Sequence, residues 1–132
     1  GREIDPHKTV WKGSCLEVFA SMPGTSRIGQ VFLAPAAGET PARAYRAGKK
    51  IAPEPSIKLT TQPEEGGYDM QALIPFSVLK LDPSKGKIML EFQVTSVGGP
   101  GGKLTRGTLF DSIHAYENNQ RYGLFILNPE AE

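Results

Sequence analysis

Few side chains in this sequence have the type and spacing for chemistry. Glu17, Glu91 and Asp111 could act as paired carboxylates in glycoside hydrolysis, one as acid and one as nucleophile or base. They are scattered along the chain, and no spacing singles out a pair. His7 and His114 could ligate a metal, but they are far apart in sequence, and an isolated exposed histidine is ordinarily just solvated. Cys15 is the single cysteine, so no disulfide forms within the chain. A small thiol on a strand reads as a packing residue. The chain lacks a G-x-S-x-G elbow, an H-E-x-x-H pair and a phosphate-binding loop. "GGPGG" (98–102) is glycine-rich but opens no helix and reads as a plain loop. The sequence is therefore read as a non-enzyme.

Recognition is the chemistry left. Trp11, the single tryptophan, precedes "SCLEVFA" (14–20), where Glu17 stands between Leu16 and Val18. A strand with one polar face, close to aromatics in loops, can hold a polyhydroxylated ligand. Rings stack on the C–H faces of sugars at low entropic cost, and fixed polar groups bond the hydroxyls.

The elements that must position these residues are strands. "SCLEVFA" and "GQVFLAP" (29–35) flank "MPGTSR" and read as a hairpin, the first strand half-buried. Residues 36–56 are irregular, broken by Pro and Gly, with a short strand around Ala42–Arg46. "SIKLTTQ" (56–62) alternates Ile57 and Leu59 with polar residues. In "GGYDMQALIPF", Tyr68, Met70, Ala72 and Ile74 share a face. In "KIMLEFQVTSV" (87–97), Ile88, Leu90, Phe92 and Val94 do the same. A helical turn from Ser77 is expected to stop at Pro83. "KLTRGTLF" (103–110) and "RYGLFIL" (121–127) complete seven or eight strands. The expectation is an all-β fold: an antiparallel β-sandwich, jelly-roll-like, with at most a short helical turn.

Bulk properties fit one domain over residues 1–132. A chain of 132 residues can bury a core without metal or disulfide staples. Hydrophobic residues at 39% and charged residues at 22% describe a globular chain. With 15 Gly and 11 Pro, turns are plentiful, which favours short strands over long helices. A net charge of +1 with interspersed signs gives no basic stripe for nucleic acid. No apolar run reaches the length of a membrane span, and "GREIDPHKTV" is too polar for a signal peptide.

Taken in order, five segments resemble the family-nine carbohydrate-binding modules, part of a wider group of DOMON-like β-sandwiches. They are "VWKGSCLEVFA", "GQVFLAP", "GGYDMQALIPF", "KGKIMLEFQVTSV" and "YENNQRYGLFIL", spanning residues 8–128. The resemblance implies a non-catalytic domain of a larger carbohydrate-active protein, secreted or at the cell surface or in the periplasm. Its partner would be a plant or microbial glycan of cellulose or xylan type, with neither nucleic acid nor membrane involved. It implies a sugar, at a chain end, sandwiched between Trp11 and Tyr116, with Glu17 and Gln30 bonding hydroxyls. Structural calcium is the cofactor it allows, with no ligands assigned.

Two departures accompany it. Phe32 stands where the family has a sugar-bonding Arg, and Ser14 where it has an acidic residue. The family also has several strands before the Trp, whereas "GREIDPHKT" alone precedes it here. The domain is thus expected to be incomplete at its N-terminus, with upstream strands or a partner chain supplying the rest. Two other functions compete: a haem-binding redox module using Met70, Met89 or His114, and a structural sandwich that joins chains.

Overall fold

The computed structural model describes residues 15–37, 40–65, 67–98 and 103–127. Nine strands are present among them: β1 (Cys15–Ser21), β2 (Gly29–Ala37), β3 (Thr40–Ala47), β4 (Lys50–Pro53), β5 (Lys58–Glu64), β6 (Gly67–Leu73), β7 (Lys87–Gly98), β8 (Lys103–Thr108) and β9 (Gly123–Ile126). All pairings are antiparallel. The fold is all-β and sandwich-like, as the alternation implies. The layers are unequal: seven strands form one sheet in the order β4-β3-β2-β1-β7-β8, with β9 also paired to β7, and β5-β6 form a separate hairpin.

Period-two alternation sorts each strand of the large sheet into two faces. On the core face Val18, Ala20, Val31, Leu33 and Ile88 are buried with Ile57, Leu79 and Leu81, and Leu59, Met70 and Ala72 pack against them. The expected stripes of β6 and β7 thus meet in one core through Met70, Ala72, Ile74, Ile88, Leu90 and Phe92, whereas Val94 at the end of the β7 stripe is exposed. The turn at residues 75–81 lies directly on this face. A Cβ at Gly29 would stand 2.2 Å from the carbonyl oxygen of Leu79, a separation no side chain tolerates.

The opposite face carries Cys15, Glu17, Phe19, Gln30, Phe32, Arg46, Glu91, Gln93 and Thr95. Much of it is covered. Cys15, Phe32, Ala34 and Ala44 form one buried cluster, and Phe19, Ala115 and Tyr122 form another. β1 is consequently a central strand buried on both faces, not the half-buried strand expected. Its Cys15 and Phe19 meet as much protein as Leu16 and Val18 do.

Two further differences have local causes. Residues 36–56 are more regular than expected, because β3 extends over eight residues and β4 pairs with it. The turn near Ser77 ends before Pro83: the Leu81 amide donates to the Phe76 carbonyl at 3.0 Å, closing around Lys80 at φ 58°. Pro83 instead opens a single 3-10 turn over Pro83–Lys85, capped by Asp82, whose Oδ1 accepts from the Ser84 amide at 3.0 Å. A fixed φ and a missing N–H suit proline to that first position.

Candidate functional site

The site is built on β7. One edge of β7 pairs with β9 from Lys87 to Leu90 and with β8 from Gln93 to Gly98. Between those stretches residues 109–122 leave the edge and fold across the polar face. Glu91 lies at that gap and is 0% exposed. Its carboxylate accepts from the amides of Phe92 (2.8 Å), Leu109 (3.0 Å), Phe110 (3.0 Å) and Ser112 (3.3 Å), and from the Ser112 hydroxyl (2.6 Å). Four backbone donors and a hydroxyl replace the water this charge has lost.

Further contacts fix the rest of the loop. Phe110 lies edge-on to Phe125 at 6.2 Å, and it sits where a Cβ on Gly123 would be, within 2.4 Å. Glycine is required there for close packing. Asn119 donates to the Ser21 hydroxyl at 2.8 Å and to the Thr25 carbonyl at 2.7 Å. The Tyr122 hydroxyl donates to the Ala115 carbonyl, and burial, then the negative charge of Glu91, pushes its pKa up. Asp111 and His114 hold φ at 59° and 52°, a left-handed conformation that costs a non-glycine residue about 1 kcal/mol. Such outliers persist where surrounding contacts over-determine them.

The outcome is a cavity of ≈ 370 Å³, within the roughly 300–1,000 Å³ of small-molecule pockets. Its described walls are Glu17 (β1), Gln30 and Phe32 (β2), Arg46 (β3), Gln93 (β7), Arg106 (β8), and His114 and Tyr116 from the loop. Register explains the convergence. Glu17 is opposite Gln93 on one side and Phe32 on the other. Arg46 and Arg106 flank that row from strands on either side of the sheet centre.

Glu17, 5% exposed, is held by two amides. Gln30 Nε2 donates to Oε1 at 2.8 Å and Gln93 Nε2 to Oε2 at 2.5 Å. Gln30 Oε1 in turn accepts from Arg46 Nε at 2.7 Å, and the Arg46 guanidinium lies over the Phe32 ring at 6.0 Å. Burial raises the Glu17 pKa. The Gln93 and Gln30 hydrogen bonds, and then the charges of Arg106 and Arg46, oppose that rise without cancelling it. The chain Arg46–Gln30–Glu17–Gln93 fixes the orientation of each amide, so the remaining lone pairs and N–H groups face the cavity with few alternatives. On the loop side Tyr116 is 50% exposed. Its ring lies 5.8 Å from His114, whose Nδ1 is 3.3 Å from Glu117.

Glu17, Gln30 and Tyr116, each expected as a contact residue, come from separate segments and line this one cavity. Trp11, like Ser14 and His7, lies outside the described residues. Phe32 forms part of the wall, and guanidinium groups enter from β3 and β8 instead. Arg46, Gln93 and Arg106 were missed as site residues. Gln93 was accessible to period-two counting, since it faces away from Phe92 and Val94. Arg46 and Arg106 needed the strand order.

The other candidates separate. Among the carboxylates Glu17, Glu91 and Asp111, the first alone lines the cavity, and the oxygens of Glu91 are taken by the loop. Among the described residues no group of three or more His, Cys, Asp or Glu side chains could hold a metal ion. Met70 packs on the core face, Met89 packs beside Phe19 on the other, and His114 is exposed at the cavity rim. Met70 and Met89 thus pack on opposite faces of the large sheet. Cys15 is buried, and its thiol is pushed up to about 12, chiefly by burial and then by the charge of Glu17; at neutral pH it is an inert packing group.

Neither family models, nor curated proteins, nor solved structures give a match to this chain.

Proposed function

We propose that this chain is a non-catalytic carbohydrate-binding domain that holds one sugar residue in the cavity between the large sheet and loop 109–122. One observation carries the reading. A buried carboxylate, two amides and a guanidinium are locked to one another on the cavity floor, facing a half-exposed aromatic ring. Sugars need that pairing. The Tyr116 ring offers a surface for the C–H face. Glu17 accepts from hydroxyls, and Gln30 and Gln93 bond their neighbours. Because the floor is already hydrogen-bonded, little side-chain entropy is lost when a sugar docks.

The five-segment resemblance supports the same reading. It adds two expectations: that Trp11 supplies a second ring, and that the domain serves a larger secreted or surface carbohydrate-active protein.

The test is calorimetric titration of glucose, cellobiose, xylobiose and a reduced-end analogue into wild type, Tyr116→Ala and Trp11→Ala. Saturable binding that Tyr116→Ala weakens at least tenfold supports the reading, and loss on end reduction identifies chain-end recognition. If neither these sugars nor the acidic ones named below release heat with a folded protein, the reading fails and a structural role takes its place.

A further inference from the structure

We infer that the sugar taken by this cavity is an acidic one, a uronate whose carboxylate docks on Arg46 and whose ring hydroxyls reach Glu17 and Gln93. The inference rests on the carbohydrate reading above and specifies its ligand class.

Among the described residues the cavity is lined by two guanidiniums, Arg46 and Arg106, and one carboxylate, Glu17. Counting the arginines and the carboxylate alone, the formal balance is two positive against one negative. Glu17 does not neutralise either arginine by direct contact, because its oxygens accept from Gln30 and Gln93. The next buried acid, Glu91, is saturated by the loop and lies outside the cavity wall. Arg46 spends Nε on Gln30, and its terminal nitrogens have no partner among the described residues. Arg106 acts on Glu17 through its charge.

An exposed arginine is ordinarily solvated and points nowhere in particular, which is an adequate account of Arg106 by itself. Arg46 differs. Its Nε is anchored to Gln30 and its Cζ lies over the Phe32 ring, so the fork of its terminal N–H groups is held in place within the cavity wall. A planar guanidinium matches a carboxylate bidentately, and a fixed one does so with little entropic loss. A neutral sugar would leave that fork facing hydroxyls it bonds less strongly.

In a pyranose uronate the carboxylate stands on C5, across the ring from the hydroxyls of C2 and C3. Arg46 and Glu17 are likewise separated, with Gln30 between them. The ligand's acid and the protein's acid are therefore kept apart, each next to a donor.

The experiment is calorimetry at low salt and pH 7 with two matched pairs, glucuronate against glucose and galacturonate against galactose. The proteins are wild type, Arg46→Met and Arg106→Gln, each checked for folding by circular dichroism. The expected result is that the acid of at least one pair binds at least tenfold tighter than its neutral partner. Arg46→Met should abolish that preference, the acid then binding no tighter than its neutral partner. Arg106→Gln, at an exposed position that cannot threaten folding, should reduce the preference by about half and flatten its salt dependence.

Neutral sugars binding as well as their acids would overturn the inference and leave the carbohydrate reading standing. No binding by either class would overturn both. Acetate competing at the same concentration as the uronates would mark a bare anion site and also overturn it.

Discussion

Glu17 and Glu91 lie on the same face of the same sheet, on neighbouring strands, and both are almost wholly buried. Their partners differ. Glu91 receives four backbone amides and a hydroxyl, all but one from loop 109–122. Glu17 receives two side-chain amides, themselves tied to an arginine, and keeps lone pairs toward an open cavity. A carboxylate wrapped in backbone donors organises the chain. One held by side chains at a cavity is organised for something else. The first builds the wall on which Tyr116 stands; the second forms the floor beneath it.

Several substitutions sharpen or break this contrast. The largest effect is expected from Glu91→Ala, which takes this acceptor from the part-buried amides of Phe92, Phe110 and Ser112, while the Leu109 amide keeps the Phe92 carbonyl. At about 1–3 kcal/mol for each unsatisfied group, partly recovered by water entry, the loss should be about 4 kcal/mol or more in urea denaturation. Ligand binding should vanish with it, because Tyr116 loses its support. A loss below about 1 kcal/mol would show that the loop is held by other contacts.

Phe19→Ala comes close behind. Phe19 is the buried centre of the cluster with Ala115 and Tyr122, and truncation of such a ring costs about 3–5 kcal/mol. Tyr122→Phe is smaller. It removes the donor to the Ala115 carbonyl and should cost about 1–2 kcal/mol with no loss of ring packing. A neutral result would mean that the carbonyl finds water instead.

Glu17→Gln should show the opposite behaviour from Glu91→Ala. Burial raises the folded-state pKa of Glu17 above its ordinary value of 4.5. The folded protein therefore takes up this proton before the unfolded chain does as the pH falls. Acidification from the folded-state value toward 4.5 stabilises wild type by this group, and stability falls as the pH rises through that window. The glutamine variant lacks the term. It should be at least as stable as wild type at pH 7, with the gap closing on acidification, and it should bind ligand more weakly. Melting curves of both proteins between pH 4 and 7 test this; a variant less stable than wild type at pH 7 would place Glu17 with the structural carboxylates. The smallest stability effect belongs to Tyr116→Ala. Its exposed ring should matter by less than about 0.5 kcal/mol, with binding the property that suffers.

Much of this architecture was legible beforehand for a simple reason. Alternation at Ile88, Leu90 and Phe92, and at Met70, Ala72 and Ile74, reports a face that must be buried, whatever covers it; Val94 continues the pattern but is left exposed. Glu17 between Leu16 and Val18 stood out because a charge on a strand so apolar needs a purpose. Gln30 and Tyr116 came through the resemblance and not through periodicity. Arg46 and Arg106 stayed hidden because an arginine on a strand looks the same whether it points to solvent or into a cavity. The double burial of β1 was hidden too. Cys15 and Phe19 hinted at it, but the cover of Phe19 is Ala115 and Tyr122, from a loop with no periodic signal.

The sequence by itself determined the strand class, the hairpin of β1 and β2, and the apolar stripes that join the two layers. These follow from local propensity and period-two sterics, which act within a few residues. Tertiary structure alone decided which strands are neighbours, that arginines from β3 and β8 flank one glutamate on β1, and that Glu91 folds loop 109–122 over them. Those outcomes depend on hydrogen bonds and packing between residues up to 98 positions apart, as in Ser21 with Asn119. No local pattern encodes such pairings, because their free energy is gained only when the chain has already closed.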